Sequence, residues 1–164
     1  MIKHISSFII IFLLLIAGKG FTATFHVSTT PELRQALIEA SGNRKDDIII
    51  LHAGIYKTAD DGEGTFMFID IDPHNLVIKS KDGLKRKDVI LDGGNTDNVF
   101  SFTNPQCSEC TITLERLSII NSRSEGIESD YNINILSSSI INNYGGKGMS
   151  SRGGIAATSS LIIE

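Results

Sequence analysis

Polar and apolar residues alternate through NINILSSSIINNYGG at 132–146, and a second line of the same design, TITLERLSIINSR, lies upstream at 111–123. Alternation with period two predicts strands that bury one face. Ile112 and Ile133 are 21 residues apart, as are Leu114 and Ile135, and Ile119-Ile120-Asn121 recurs at the same interval as Ile140-Ile141-Asn142. A sandwich or Greek key imposes no fixed interval between strands. A solenoid does, because each winding must lie in register on the last. Stacked at about 4.8 Å, Ile112 and Leu114 are expected to meet Ile133 and Ile135 in aliphatic columns. Asn121 is expected to stack on Asn142 at a turn, where amides bond from one winding to the next.

Similar short runs fill most of the chain. Phe25-His26-Val27, DDIIILHAGIY, GTFMFIDI, NLVIKS, DVILDGG, NVFSF, GGIAA and SSLIIE read as strands separated by Gly, Asn and Asp. No helical pattern lies between successive strands, which excludes a doubly wound α/β sheet. One helix is expected, at about 31–41. Ser28, Thr29 and Thr30 offer caps, Pro31 suits a first helical position, and Leu33, Ala36, Leu37 and Ala40 share a face. Ser41-Gly42-Asn43 ends it. A solenoid exposes unpaired edges at its first winding, and this amphipathic helix is suited to plug them. The run SSLIIE ends in mid-pattern with no second cap. The expectation is therefore an all-β, right-handed parallel β-helix with an N-terminal capping helix, truncated at its C-terminus. Its open end needs further coils or a partner chain.

The first twenty residues stand apart. Lys3 and His4 precede ISSFIIIFLLLIAG, too short an apolar run for a comfortable membrane span and placed like a secretory signal. Residues 1–20 are read as a signal peptide, with cleavage after Gly20 or within Thr22–Thr24, and 21–164 as the exported domain, secreted or at the cell surface. Losing Lys3 and Lys19, and no acid, moves the formal charge from −4 to −6. That argues against nucleic acid and offers no broad basic face for an anionic membrane. Cys107 and Cys110, in NPQCSECT, are expected to form a local disulfide or to remain two free thiols. Neither the helix of a redox motif nor a second ligand pair for zinc accompanies them.

Four stretches resemble secreted right-handed parallel β-helix proteins of the pectin-lyase-like superfamily: FHVSTTPELRQALIEA, DDIIILHAGIY, VILDGGNTDNVFSF and LSIINSRSEGI. The likeness covers most of residues 24–164. It implies the fold far more than an activity, because this superfold hosts lyases, hydrolases, adhesins and surface proteins. Pectate lyases of the family use several Asp to hold Ca²⁺ and a basic residue to take a proton, usually on later coils. Asn95-Thr96-Asp97 is similar to a motif of polygalacturonase-type hydrolases, but neither the following Asp-Asp nor Gly-His-Gly is found here.

Candidate sites read from the residues themselves are few. Asp70, Asp72 and His74 alternate in FIDIDPH. Asp70 and Asp72 are the candidate metal ligands, for Ca²⁺ or another divalent cation. The competing reading turns Met67, Ile69 and Ile71 inward and the acids to solvent, with Pro73 breaking the strand before His74. Asp60-Asp61-Gly62-Glu63 is an acidic turn without the full ligand set of a Ca²⁺ loop. Lys81 to Lys87, KDGLKRK, is the one basic cluster, able to touch an acidic sugar or simply to solvate an overhanging turn. GGKGMSSRGG, near 145–154, lengthens its coil, since Ile133 to Leu161 is 28 residues. His26 and His52 lie in strand-like contexts without an evident partner.

These observations favour a secreted or surface module that binds polysaccharide or a cell-surface ligand without catalysis. No catalytic residue and no organic cofactor is assigned. The alternative is the front of a polysaccharide lyase or glycoside hydrolase whose active site lies on later coils.

Overall fold

A computed structural model describes residues 22–144, apart from 71, 97 and 105, together with the backbone of 149–151 and 155–158. The elements are β1 (Thr24–Val27), α1 (Thr30–Gly42), β2 (Asp47–Leu51), β3 (Gly54–Lys57), β4 (Phe66–Ile69) and β5 (Leu76–Ser80). A 3-10 turn at Arg86–Asp88 leads into β6 (Val89–Asp92), β7 (Phe100–Thr103), β8 (Thr111–Glu115) and β9 (Ser118–Ile120). β10 (Ile127–Ser129), β11 (Asn132–Leu136), β12 (Ser139–Ile141), β13 (Met149–Ser151) and β14 (Ile155–Thr158) follow. The strands form three parallel sheets. Sheet one runs β1-β2-β5-β8-β11-β14, sheet two β3-β6-β9-β12 and sheet three β4-β7-β10-β13. From β2 onward the chain visits the sheets in the same order, and each strand from β2 to β11 pairs with the third strand after it.

The aliphatic columns expected from the sequence are present. Ile112 pairs with Ile133 and Leu114 with Ile135 in sheet one, and Ile119 with Ile140 in sheet two. All six side chains are buried. At roughly 1.5–3 kcal/mol for each buried aliphatic side chain, no single circuit can bury its face alone, and each depends on its neighbours. The 21-residue interval, however, belongs to one step only. Ile49 pairs with Ile78, 29 residues on, and Ile78 with Leu114, 36 residues on. The extra residues go into connections such as 81–88 and 104–110, so strand register is kept while corner length varies.

The last interval differs from expectation. Ile133 pairs with Ile155, 22 residues on, not with Leu161. GIAAT takes the strand position, and Met149–Ser151, inside the segment expected only to lengthen the coil, pairs with β10. Strands β10 and β13 were not legible because Ile-Glu-Ser and Met-Ser-Ser each carry a single apolar residue, too little for a pattern to register, and their ladders are supplied by the circuit before. SSLIIE lies outside the described residues.

The corners explain the polar residues between strands. Arg116 and Ser137, 21 apart, both take left-handed φ (56° and 52°) where the chain passes from sheet one to sheet two. Asn121 and Asn142 do the same at the next corner (57° and 56°), a conformation Asn tolerates better than most residues. Asn121 Nδ2 donates to Asp92 Oδ1 of the preceding circuit at 3.1 Å, while the bond to the next circuit is made one residue later than expected. Asn143 is buried; its Oδ1 accepts from Ser122 N at 2.9 Å, whereas Asn142 is exposed. Gly93, in LDGG, is required by a close approach: a Cβ there would lie 2.7 Å from the carbonyl oxygen of Asn121.

Helix α1 covers the first strands. Thr29 caps it, accepting from Glu32 N at 3.4 Å, and Leu33, Ala36, Leu37 and Ala40 are buried as the spacing predicts. The helix packs on β1, β2 and β4. Arg34 closes the adjoining corner, donating to the carbonyls of Thr58, Gly64 and Thr65 and to Asp61, with its guanidinium 4.7 Å above the ring of Phe66. One side chain thus satisfies backbone carbonyls of a segment that no described strand pairs.

Candidate functional site: a basic groove and a buried polar cluster

The segment FMFIDIDPH reverses the expected inside and outside. Phe66 and Phe68 point into the core, Met67 and Ile69 are about half exposed, and Asp70 is fully buried. Both parities of this strand are apolar, so hydrophobicity alone cannot choose between them. Aromatic packing does. Phe66 meets Phe100 at 5.7 Å between ring centroids, and Phe68 meets Tyr131 at 5.9 Å.

Burial of Asp70 is made tolerable by its bonds. Oδ1 accepts from Asp72 N at 2.9 Å, and Oδ2 accepts from Tyr131 Oη at 3.2 Å and lies 3.1 Å from His74 Nδ1. Asn104 donates to Tyr131 Oη at 3.2 Å and to the carbonyl of Asp72 at 3.0 Å. Asp70, His74, Asn104 and Tyr131 are all buried. Asp72 instead meets Arg44 near the surface, with Nε 3.1 Å from Oδ2. The two candidate metal ligands therefore face different surroundings, and both oxygens of Asp70 are engaged. Among the described residues no three metal-ligating side chains converge. His74 joins the cluster despite Pro73, because the chain folds back after β4. Tyr131 and Asn104 were not singled out by their spacing, and only the stacking of distant circuits joins them.

The basic cluster forms a cavity. Leu84, Lys85, Arg86 and Lys87 overhang the corner at Arg116 and Ser137, enclosing about 440 Å³. The overhang is held by local bonds. Leu84 N donates to Lys81 O at 3.1 Å, Asp88 Oδ2 accepts from Lys85 N at 2.8 Å, and Ser118 Oγ donates to Arg86 O at 3.0 Å. Arg116 is fixed as the groove's wall: Nε donates to Ser80 Oγ and Nη2 to Ser80 O and Asp82 Oδ1, each at 3.1 Å. Glu115 also bonds its Nη1. Lys85, Arg86 and Lys87 make no ion pair with a described residue, so their charge is available. No carboxylate lines the groove. It presents cations, a hydroxyl and the partly buried Leu84, a set that suits an anionic group carried on a ring with an apolar face. Arg116 was missed in the sequence, although its corner repeats at Ser137.

The remaining candidates have local structural employment. Asp61 bonds Arg34, and that hydrogen bond holds its carboxyl below the usual carboxylate range. Thr96 Oγ1 donates to Gly93 O at 2.7 Å and Asn95 takes a left-handed φ of 58°, while Asp97 lies outside the described residues. His26 and His52 meet edge to face at 5.9 Å. Cys107 and Cys110 form a disulfide, and Asn104 Oδ1 holds that loop by accepting from Gln106 N and Cys107 N. Among the described residues no helix is long and apolar enough to cross a membrane. The proposed signal segment lies outside them.

No protein-family model matches the chain, and neither a curated protein nor a solved structure does.

Proposed function

We propose that the chain is a secreted or surface-displayed right-handed parallel β-helix, similar to the pectin-lyase-like superfamily, that binds an acidic polysaccharide without catalysis. The observation that carries the ligand class is the groove between KDGLKRK and the Arg116 corner, where Lys85, Arg86 and Lys87 make no ion pair with a described residue and no carboxylate lines the wall. The right-handed winding rests on three parallel sheets visited in fixed order, since crossovers between parallel strands are right-handed in nearly all proteins. Export rests on the apolar run before residue 21.

A uronate carboxylate would sit against Lys85, Arg86 or Lys87, with Arg116, held by Ser80, Asp82 and Glu115, as the wall behind it and Leu84 under the sugar ring. The test compares binding of polygalacturonate with that of neutral dextran, in rising sodium chloride. Binding of polygalacturonate is expected to fall with salt and to weaken about tenfold in a Lys85→Gln/Arg86→Gln/Lys87→Gln variant. Its melting temperature should hardly change, because these side chains lie at the surface. Equal binding of dextran, or unchanged affinity of the variant, overturns the assignment. Appearance of unsaturated ends on the polymer would instead favour the lyase reading.

A further inference from the structure

The outermost strand of sheet one carries a second groove. Ile48 N donates to Ala23 O at 2.9 Å and His52 N to Val27 O at 2.8 Å. In an extended chain the backbone groups of alternate residues point to opposite edges. Those of Ala23, Phe25 and Val27 therefore face β2, and those of Thr24 and His26 face away from it. No described strand lies on that outer side.

Thr24, Phe25, His26 and Val27 all line a groove of about 330 Å³, whose far wall is Glu32, Gln35, Ala36 and Glu39 of α1. Successive side chains of a strand point to opposite faces, so a groove lined by four consecutive residues is lined by the strand's backbone edge. Positions 32, 35, 36 and 39 form one helical stripe, which carries two carboxylates and no cation. Glu32 Oε2 accepts from Ser28 N at 2.7 Å and Glu39 Oε1 from Gln35 Nε2 at 2.9 Å. The second oxygen of each has no bond to a described residue.

We propose that this groove receives an extended peptide segment of another protein, bearing Lys or Arg, which adds to β1 as a further strand. Its backbone pairs with Thr24 and His26, as in other cases of strand addition to an open edge. Its cations meet Glu32 and Glu39. The interaction is separate from the polysaccharide groove and does not depend on it.

The test uses the full chain and two fluorescein-labelled pentapeptides, Lys-Val-Lys-Val-Lys and Glu-Val-Glu-Val-Glu, followed by anisotropy. The basic peptide is expected to bind and the acidic one not. His26→Pro deletes an outward N–H without touching the ladder to β2, a position where edge strands accept proline. It should weaken binding about fivefold with little change in melting temperature. Glu39→Gln should weaken it about threefold. Thr24→Pro serves the same purpose should His26→Pro fail to fold. Equal affinity of the proline variants and the parent overturns the proposal. So does equal binding of both peptides, or self-association through this edge revealed by sedimentation and abolished by His26→Pro.

Discussion

The phenolic oxygen of Tyr131 and the carboxylate of Asp70 lie 3.2 Å apart, 61 positions apart in the chain and with both side chains fully buried. The contact ties the circuit of β4 to the one that begins at β11. Tyr131→Phe keeps the ring packing but removes the donor, leaving Asp70 with fewer bonds in the core. A loss of about 1–3 kcal/mol is expected, read from denaturant midpoints. Adding Asp70→Asn should cost less than the two single changes together. Strict additivity would show that the pair carries no coupling.

Gly93 lies against the neighbouring circuit's backbone, where a Cβ would stand 2.7 Å from Asn121 O and 2.9 Å from Ser122 Cα. Backbone cannot rotate aside as a side chain can. Gly93→Ala is expected to destabilise by about 1–3 kcal/mol. Gly42, at the end of α1, has nothing within 4 Å of such a position. Gly42→Ala should be neutral or stabilise by up to about 1 kcal/mol, and paired thermal melts would separate the two.

Arg34 supplies hydrogen bonds to three carbonyls and one carboxylate from a side chain that is only 15% exposed. Arg34→Ala should cost about 2–3 kcal/mol. Arg34→Lys should recover little of it, since a point charge cannot reproduce the planar fork. Full rescue by lysine in urea titrations would reduce the role of Arg34 to charge alone.

Ile135 is buried beside Leu114 in the inner column of sheet one, and its backbone pairs on the other side with Ala157. Ile135→Asp puts an unpaired carboxylate among aliphatic side chains and is expected to abolish cooperative unfolding. Ile141, at an outward position of β12, is the control and should accept Asp. A cooperative transition in the Ile135 variant would refute the register.

Alkaline pH should unfold the protein through its buried phenols. Burial pushes Tyr56 from 10.0 up to about 12 and raises Tyr131 as well. The folded state holds these protons more tightly than the unfolded chain. Their contribution is therefore complete below pH 10 and is lost as pH rises towards 12. Melting temperature should fall in that window, and less steeply in Tyr56→Phe. An identical slope in both proteins would assign the loss to other groups.

The sequence by itself determined the features that depend on near neighbours. The capping helix follows from Leu33, Ala36, Leu37 and Ala40 and the Thr29-Thr30-Pro31 start. The inward sets of β8 and β11 follow from alternation, because Ile112, Leu114, Ile133 and Ile135 share one parity with polar residues between them. Parallel stacking of those lines followed from their equal spacing. Tertiary structure alone decided what local pattern leaves degenerate. In FMFI either parity is hydrophobic, a one-residue slip exchanges the two faces, and contacts with Phe100 and Tyr131 made the choice. The unequal circuits, strands β10 and β13, the Asp70–Tyr131 contact and the walls of both grooves likewise join residues tens of positions apart. Their spacing is set by corner lengths that carry no hydrophobic period, so no window of sequence contains them.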